Sequence, residues 1–195
     1  MNPEFDHAAE DLWVFGYGSL IWRPGFDYAE RLPAHIIGLH RSLCVYSFDH
    51  RGTPERPGLV LGLDFGGACR GIAYRVAAKR RKATLQYLRE REQTTAVYRE
   101  LVRAVWLDGE PQRRVDALCY AVDRGHPQYA GRLTHDRQLH IVRQGRGRSG
   151  NNLDYVIETA KALEALQVVD HDLQIVAERL KGAQDVHVSG NAVQA

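Results

Sequence analysis

No stretch of this chain is apolar for long enough to cross a bilayer as a helix. The first residues, MNPEFDHAAEDL, are acidic and have neither a basic flank nor an apolar centre, so they do not read as a secretory signal. Cysteine is scarce. Cys44, Cys69 and Cys119 are odd in number, far apart and without a CxxC, which argues against a disulfide framework or a zinc knuckle and leaves buried thiols as the expectation. Charge of one sign is not in excess: a formal net charge of +2, with both signs interspersed, gives no footprint for nucleic acid or an anionic membrane. The expectation is a cytoplasmic protein with a small-molecule substrate, its oligomeric state not legible in the sequence.

Several catalytic signatures are also missing. The nine histidines form no HExxH and no pair at four-residue spacing on a clear helix, so no metal is expected. The segment GYGSL lacks the GxSxG elbow and has no sequence-visible histidine partner, which leaves little support for Ser19 as a nucleophile. It also lacks the third glycine and following helix of a dinucleotide fingerprint. RQGRGRSGNN, residues 143–152, lacks the Lys-Ser/Thr ending of a phosphate loop and reads as a connector with a helix cap, although its glycines can bring backbone close to another part of the fold. KRRK at 79–82 is the solvated face of a helix. No repeat or low-complexity segment occurs.

The 195 residues are 44% hydrophobic and 26% charged, enough for one globular domain spanning 1–195, with a core at about 12–181 and polar tails at both ends. Leu12 to Trp22, 35–48, LVLGLDF and RGIAYRV read as strands, the third with Leu59, Leu61, Leu63 and Phe65 on one face. Val97 to Leu107 and Arg114 to Asp123 flank the turn signal Asp108-Gly109. That totals six or seven strands. Between them, about Ala77 to Glu92 has helical spacing through Leu85 and Leu88. The last third holds two helices, one capped by Asn151 or Asn152 and one by Asp170, the latter carrying Leu173, Val176, Ala177 and Leu180. The class is α+β, and a small barrel is an arrangement that fits.

Two features carry possible chemistry. In VFGYGSLIW, residues 14–22, glycine interrupts a buried strand; this is either a β-bulge or backbone bared to hold a carboxylate or an oxyanion. Glu92 follows Leu88 by four residues and Leu85 by seven, so a helix that reaches it aims its carboxylate along the apolar stripe. Desolvated there, it would have a raised pKa suited to a general base. A helix that frays early, or a pairing of Glu92 with Arg89, would remove that role.

These segments resemble the ChaC-like γ-glutamylcyclotransferases. The likeness rests on VFGYGSLIWRPGF, HRGTPERPG, YLREREQ, YAG at 129–131 and SGNNLDYV at 149–156, in the family's order across roughly 12–180. It implies a small mixed β-barrel, here of six or seven strands, flanked by helices, and cleavage of glutathione to 5-oxoproline and cysteinylglycine without metal or organic cofactor. By position it implies that Val14, Phe15, Gly16, Tyr17, Gly18, Ser19 and Leu20 form the γ-glutamyl binding loop, that Glu92 is the general base and that Tyr129 lines the pocket. Gln93 departs from the small apolar residue that relatives often carry. Arg51, Arg56 and Arg70 are candidates for the substrate's glycine carboxylate. Two alternatives stand beside this reading: the same cyclisation on γ-glutamyl amino acids or γ-glutamylamines, and a non-catalytic small-molecule-binding module on the same fold.

Overall fold

The computed structural model describes residues 10–92 and 96–190, the last eight as backbone only. Gln93 and most of both polar tails lie outside the described residues. Two compact units partition the chain, one made of 1–41 and 62–126, the other of 42–61 and 127–195.

The first unit is built on five strands: β1 (Leu12–Gly16), β2 (Glu30–Ser47), β3 (Gly58–Val76), β4 (Tyr98–Leu107) and β5 (Arg113–Val122). They close in the order β1-β3-β2-β4-β5. β1 lies antiparallel to β3, from Leu12 opposite Val76 to Gly16 opposite Ile72, and parallel to β5 at Trp13 and Ala117. β4 and β5 form the hairpin expected around Asp108-Gly109, with Leu107 opposite Arg113. Val14, Phe15, Ile36, Leu63, Ile72, Tyr74 and Leu118 are fully withdrawn from water. Burial of such side chains, each contributing about 1.5–3 kcal/mol, is what selects the strand register.

The barrel therefore has five strands, and the expectation of six or seven is corrected. LVLGLDF and RGIAYRV, read as separate strands, are parts of the 19-residue β3. Between them stands the pair Gly66-Gly67, which takes φ of +101° and +66°. Glycine alone enters that region without steric cost, so the pair bends one continuous strand instead of ending it. The alternation also stops there: Leu59, Leu61 and Leu63 are buried, but Phe65 is 43% exposed.

A short 3-10 turn, Ala78–Arg80, leads into α1 (Arg81–Glu92). Leu85 and Leu88 are buried, as the helical spacing requires, and the helix does reach Glu92.

The second unit contains the end of β2, the start of β3 and three helices, α2 (His135–Gln144), α3 (Asn152–Ala165) and α4 (His171–Gly190). Between α2 and α3 lies a small ladder of β6 (Arg146–Gly147) and β7 (Gly150–Asn151). Asp170 accepts a hydrogen bond from the Leu173 amide, and Leu173, Val176, Ala177 and Leu180 are buried on the face of α4 that the sequence indicates. The glycines of RQGRGRSGNN serve close packing: a Cβ on Gly145 or Gly147 would strike the backbone of Arg51 or Asp49. Among the described residues no helix is long and apolar enough to cross a membrane.

Candidate active site

The site is assembled in the first unit from the end of β1, the turn after it and the end of α1. β1 stops at Gly16, and Ser19–Ile21 form a single 3-10 turn. Its first closing bond runs from the Ile21 amide to the Gly18 carbonyl at 2.9 Å, so the Ser19 and Leu20 amides precede any partner within the turn. VFGYGSLIW is thus a strand that ends in a tight turn, where the sequence reading extended the strand to Trp22.

Two phenols fasten that turn, Tyr17 from the segment itself reaching β5 and Tyr74 reaching in from β3. The Tyr17 hydroxyl donates to the Tyr120 carbonyl at 2.9 Å, and the Tyr74 hydroxyl donates to the Leu20 carbonyl at 2.8 Å. Arg41 donates through Nε to the Tyr17 carbonyl. Burial raises the pKa of Tyr74, so its phenol keeps the proton this bond needs. Val14, Phe15, Gly16, Tyr17, Gly18 and Leu20 are buried, and Ser19 is half-buried.

Glu92 is the last residue of α1, and its side chain keeps 17% exposure. Burial raises its pKa, while the neighbouring Arg91 guanidinium, by charge and hydrogen bond, pulls it back. The pairing with Arg89 that would have removed Glu92 from a site is absent: Arg89 donates from Nε and Nη2 to Glu100 at 2.8 and 3.0 Å. Glu92 instead accepts from Arg91, with Nε 3.1 Å from Oε1. Tyr120 on β5 stands close enough to feel the Glu92 charge; its own pKa is raised by burial first, then by Glu100, to which it donates at 3.1 Å, and by Glu92.

Arg91 joins these parts and was missed in the sequence. Its Nη2 donates to Ser19 Oγ at 2.8 Å, so one guanidinium touches both the glycine turn and Glu92. A signal existed: Arg91 stands three residues after Leu88, on the same helical face that directed attention to Glu92.

Three of the remaining candidates belong to the second unit and Arg70 to the first. Tyr129 belongs to the second unit, half-buried, its backbone bridged to Val45. Arg51, in the same unit, donates to the Asn151 carbonyl at 3.0 Å and lies over the Tyr155 ring. Arg56 lines a cleft of about 480 Å³ in that unit with Asp136, Leu139, His140, Arg143, Gln144 and Arg179, and neither Glu92 nor the glycine turn contributes to it. Arg70 is 62% exposed beside Asp108. Among the described residues no group of three or more His, Cys, Asp or Glu side chains is placed to hold a metal ion.

His50, Ser149 and Asp49, in the second unit, look at first like a hydrolytic triad: His50 Nδ1 is 2.8 Å from Ser149 Oγ, and Nε2 is 4.0 Å from Asp49. Arg148 Nη2, however, lies 3.0 Å from Nε2. A guanidinium can only donate, so Nε2 accepts and Nδ1 carries the proton toward Ser149. A histidine in that state cannot take the serine proton.

Comparison with known proteins adds an independent line. The family described as ChaC-like protein matches residues 12–182. The glutathione-specific γ-glutamylcyclotransferase of Escherichia coli K12 is 31% identical over 172 residues, covering 87% of this chain and 74% of that protein. The glutathione-specific γ-glutamylcyclotransferase of Schizosaccharomyces pombe is 32% identical over 179 residues, covering 84% and 88%. The crystal structure of a γ-glutamyl cyclotransferase specific to glutathione from yeast superposes with a TM-score of 0.82 at 24% identity, over 88% of this chain and 96% of that one, a likeness of fold.

Proposed function

The chain belongs to the ChaC-like protein family, and from that premise we infer that it is a γ-glutamylcyclotransferase that cleaves glutathione to 5-oxoproline and cysteinylglycine. The observation that carries the reading in this chain is the Glu92 carboxylate, held out of water beside Arg91, whose other nitrogen binds Ser19 of the glycine turn.

The chemistry asks little of the protein beyond shape and one proton carrier. The substrate's own α-amine attacks its γ-carbonyl carbon; a C–N bond forms in the new ring, and the amide C–N bond to cysteine breaks. No protein nucleophile is needed, and holding the γ-glutamyl group curled supplies the entropic part of the acceleration. The α-ammonium gives up a proton before attack and the departing amine takes one up. Glu92 receives the first and delivers the second, which a carboxylate with a raised pKa does well near neutrality.

The segment Val14 to Leu20 holds the γ-glutamyl group. Its backbone amides suit either the α-carboxylate or the oxyanion of the tetrahedral intermediate, where one donor contributes about 3 kcal/mol. Tyr129 is assigned to the pocket lining through its place in the family-like YAG segment. The family match from 12 to 182 supports treating the chain as one functional domain. We assign the protein to the cytoplasm, since its three cysteines are buried thiols outside any disulfide, as suits a reducing compartment.

The direct test supplies glutathione, γ-Glu-Ala and a γ-glutamylamine to the purified protein and measures 5-oxoproline. Product from glutathione in clear preference is expected. Product from only one of the other two would reassign the leaving group, and no product from any would end the enzymatic reading.

A further inference from the structure

We propose that Arg91 is a positioning residue for the cyclisation: its guanidinium fixes the Glu92 carboxylate against the glycine turn and keeps that carboxylate ready to accept the substrate's proton. The proposal rests on the assignment of Glu92 as the base.

Geometry carries the argument. Glu92 sits at the C-terminal end of α1, where the helix's partial negative charge opposes a carboxylate, and most of its side chain is withdrawn from water. Both effects favour the protonated acid, which cannot begin the reaction as a base. The opposing influence is Arg91, with Nε 3.1 Å from Glu92 Oε1. Arg91 is itself immobilised: Nη1 donates to the carbonyls of Arg23 and Pro24 at 2.7 and 3.1 Å and to the Tyr87 hydroxyl at 2.9 Å, while Nη2 donates to Ser19 Oγ at 2.8 Å. The guanidinium also lies 6.0 Å from the Tyr87 ring centroid, and its side chain is 19% exposed. A planar cation bound on three nitrogens has one position, and that position sets where both Ser19 and Glu92 stand.

The other charged groups facing Glu92 do not replace it. Tyr120, from β5, is a phenol whose pKa is raised, and it stays neutral. Behind it Glu100, from β4, is paired with Arg89, so their charges largely cancel at Glu92. Tyr87, from α1, gives its hydroxyl to Arg91 as an acceptor. Among the described residues Arg91 is the cation in contact with the base.

A merely structural arginine would lower stability and scale the rate equally at every pH. A positioning arginine predicts two separable effects, one of charge and one of reach. Arg91→Met removes both: the acidic limb of the kcat/KM profile should move up by about one pH unit, so that activity at pH 6 falls about tenfold more than activity at pH 9. Arg91→Lys keeps the charge but cannot span Ser19 and Glu92 together. Its acidic limb should stay near that of the unmodified protein while KM for glutathione rises at least about fivefold.

Measurements use the full chain, 5-oxoproline release from pH 5 to 9.5, and circular dichroism to confirm folding. An unmoved acidic limb in folded Arg91→Met would overturn the proposal. So would an Arg91→Lys variant whose limb matches that of Arg91→Met, or one with unchanged KM; because lysine is the milder change, this arm decides the matter if the methionine variant does not fold. Full activity in Glu92→Gln would remove the underlying assignment and the proposal with it, whereas an inactive Glu92→Gln beside an unmoved Arg91→Met limb would defeat the proposal alone.

Discussion

The side-chain amide of Asn152 pairs with both backbone groups of Leu59: Oδ1 accepts from the Leu59 amide, and Nδ2 donates to the Leu59 carbonyl at 2.8 Å. The two residues are 93 positions apart, and both are fully buried. Asn152 thus acts as a one-residue strand partner for the start of β3. Asn152→Ala strands a buried donor and acceptor together and should cost about 2–4 kcal/mol, measured as a loss in urea denaturation. Asn152→Asp is expected to be at least as costly, since a carboxylate cannot donate to the carbonyl and its charge would be fully buried.

Gly71 lies against the carbonyl of Gly16, and a Cβ there would collide with it and come 3.0 Å from the Phe15 ring. The neighbouring pair in the β1–β3 ladder is Gly16 and Ile72. Gly71→Ala must therefore push β1 away just before the turn that carries Ser19. Overpacking of this kind costs about 1–3 kcal/mol. The expected result is a lower melting temperature together with a raised KM for glutathione, because the displaced backbone is that of the proposed binding segment.

These two contacts also mark where sequence reading stops. Local rules sufficed for what depends on local spacing: Leu85 and Leu88 set the buried face of α1, Asp170 caps α4, and Asp108-Gly109 turns the β4–β5 hairpin. LVLGLDF and RGIAYRV were read as two strands and are one, because the glycine pair between them can end a strand or carry it on, and barrel closure decides which. Asn151 or Asn152 was expected as a helix cap; Asn151 holds the N-cap position of α3 without a side-chain capping bond, and Asn152 is spent on Leu59, a choice fixed by a partner 93 residues away. Glu92 was legible through its spacing from Leu88, but Arg91, on the same face, reads as an ordinary surface arginine until Ser19 is placed beside it.

Cys44, Cys69 and Cys119 are buried and in no disulfide, and burial pushes the Cys119 thiol up to about 12. A thiol at that value is almost wholly protonated near neutrality, and the thiolate is the reactive form. Folded protein should therefore leave Cys119 unmodified through an hour with iodoacetamide at pH 8, with mass spectrometry finding it alkylated only after denaturation. Prompt labelling of native Cys119 would show that β5 opens far more readily than a closed barrel permits.

Glu92 should be expensive to keep. Its folded-state pKa is raised by burial, above the value it takes in the unfolded chain, where the carboxyl is hydrated. Below the unfolded value both states hold the proton, and the residue is neutral in its effect. As pH rises through the folded pKa, the native state must ionise a desolvated carboxyl that the unfolded state ionises freely, and stability falls. Glu92→Gln removes that penalty. It is expected to raise the melting temperature at pH 8 by at least about 2 °C, a gain that shrinks toward zero near pH 4, while 5-oxoproline formation drops by at least about a hundredfold. Calorimetry across pH measures the first effect and turnover of glutathione the second. A residue whose loss stabilises the fold and abolishes the reaction is one that the fold holds at a cost for its chemistry; a variant less stable at pH 8 than the unmodified protein would mean that the Arg91 pairing outweighs the burial of Glu92.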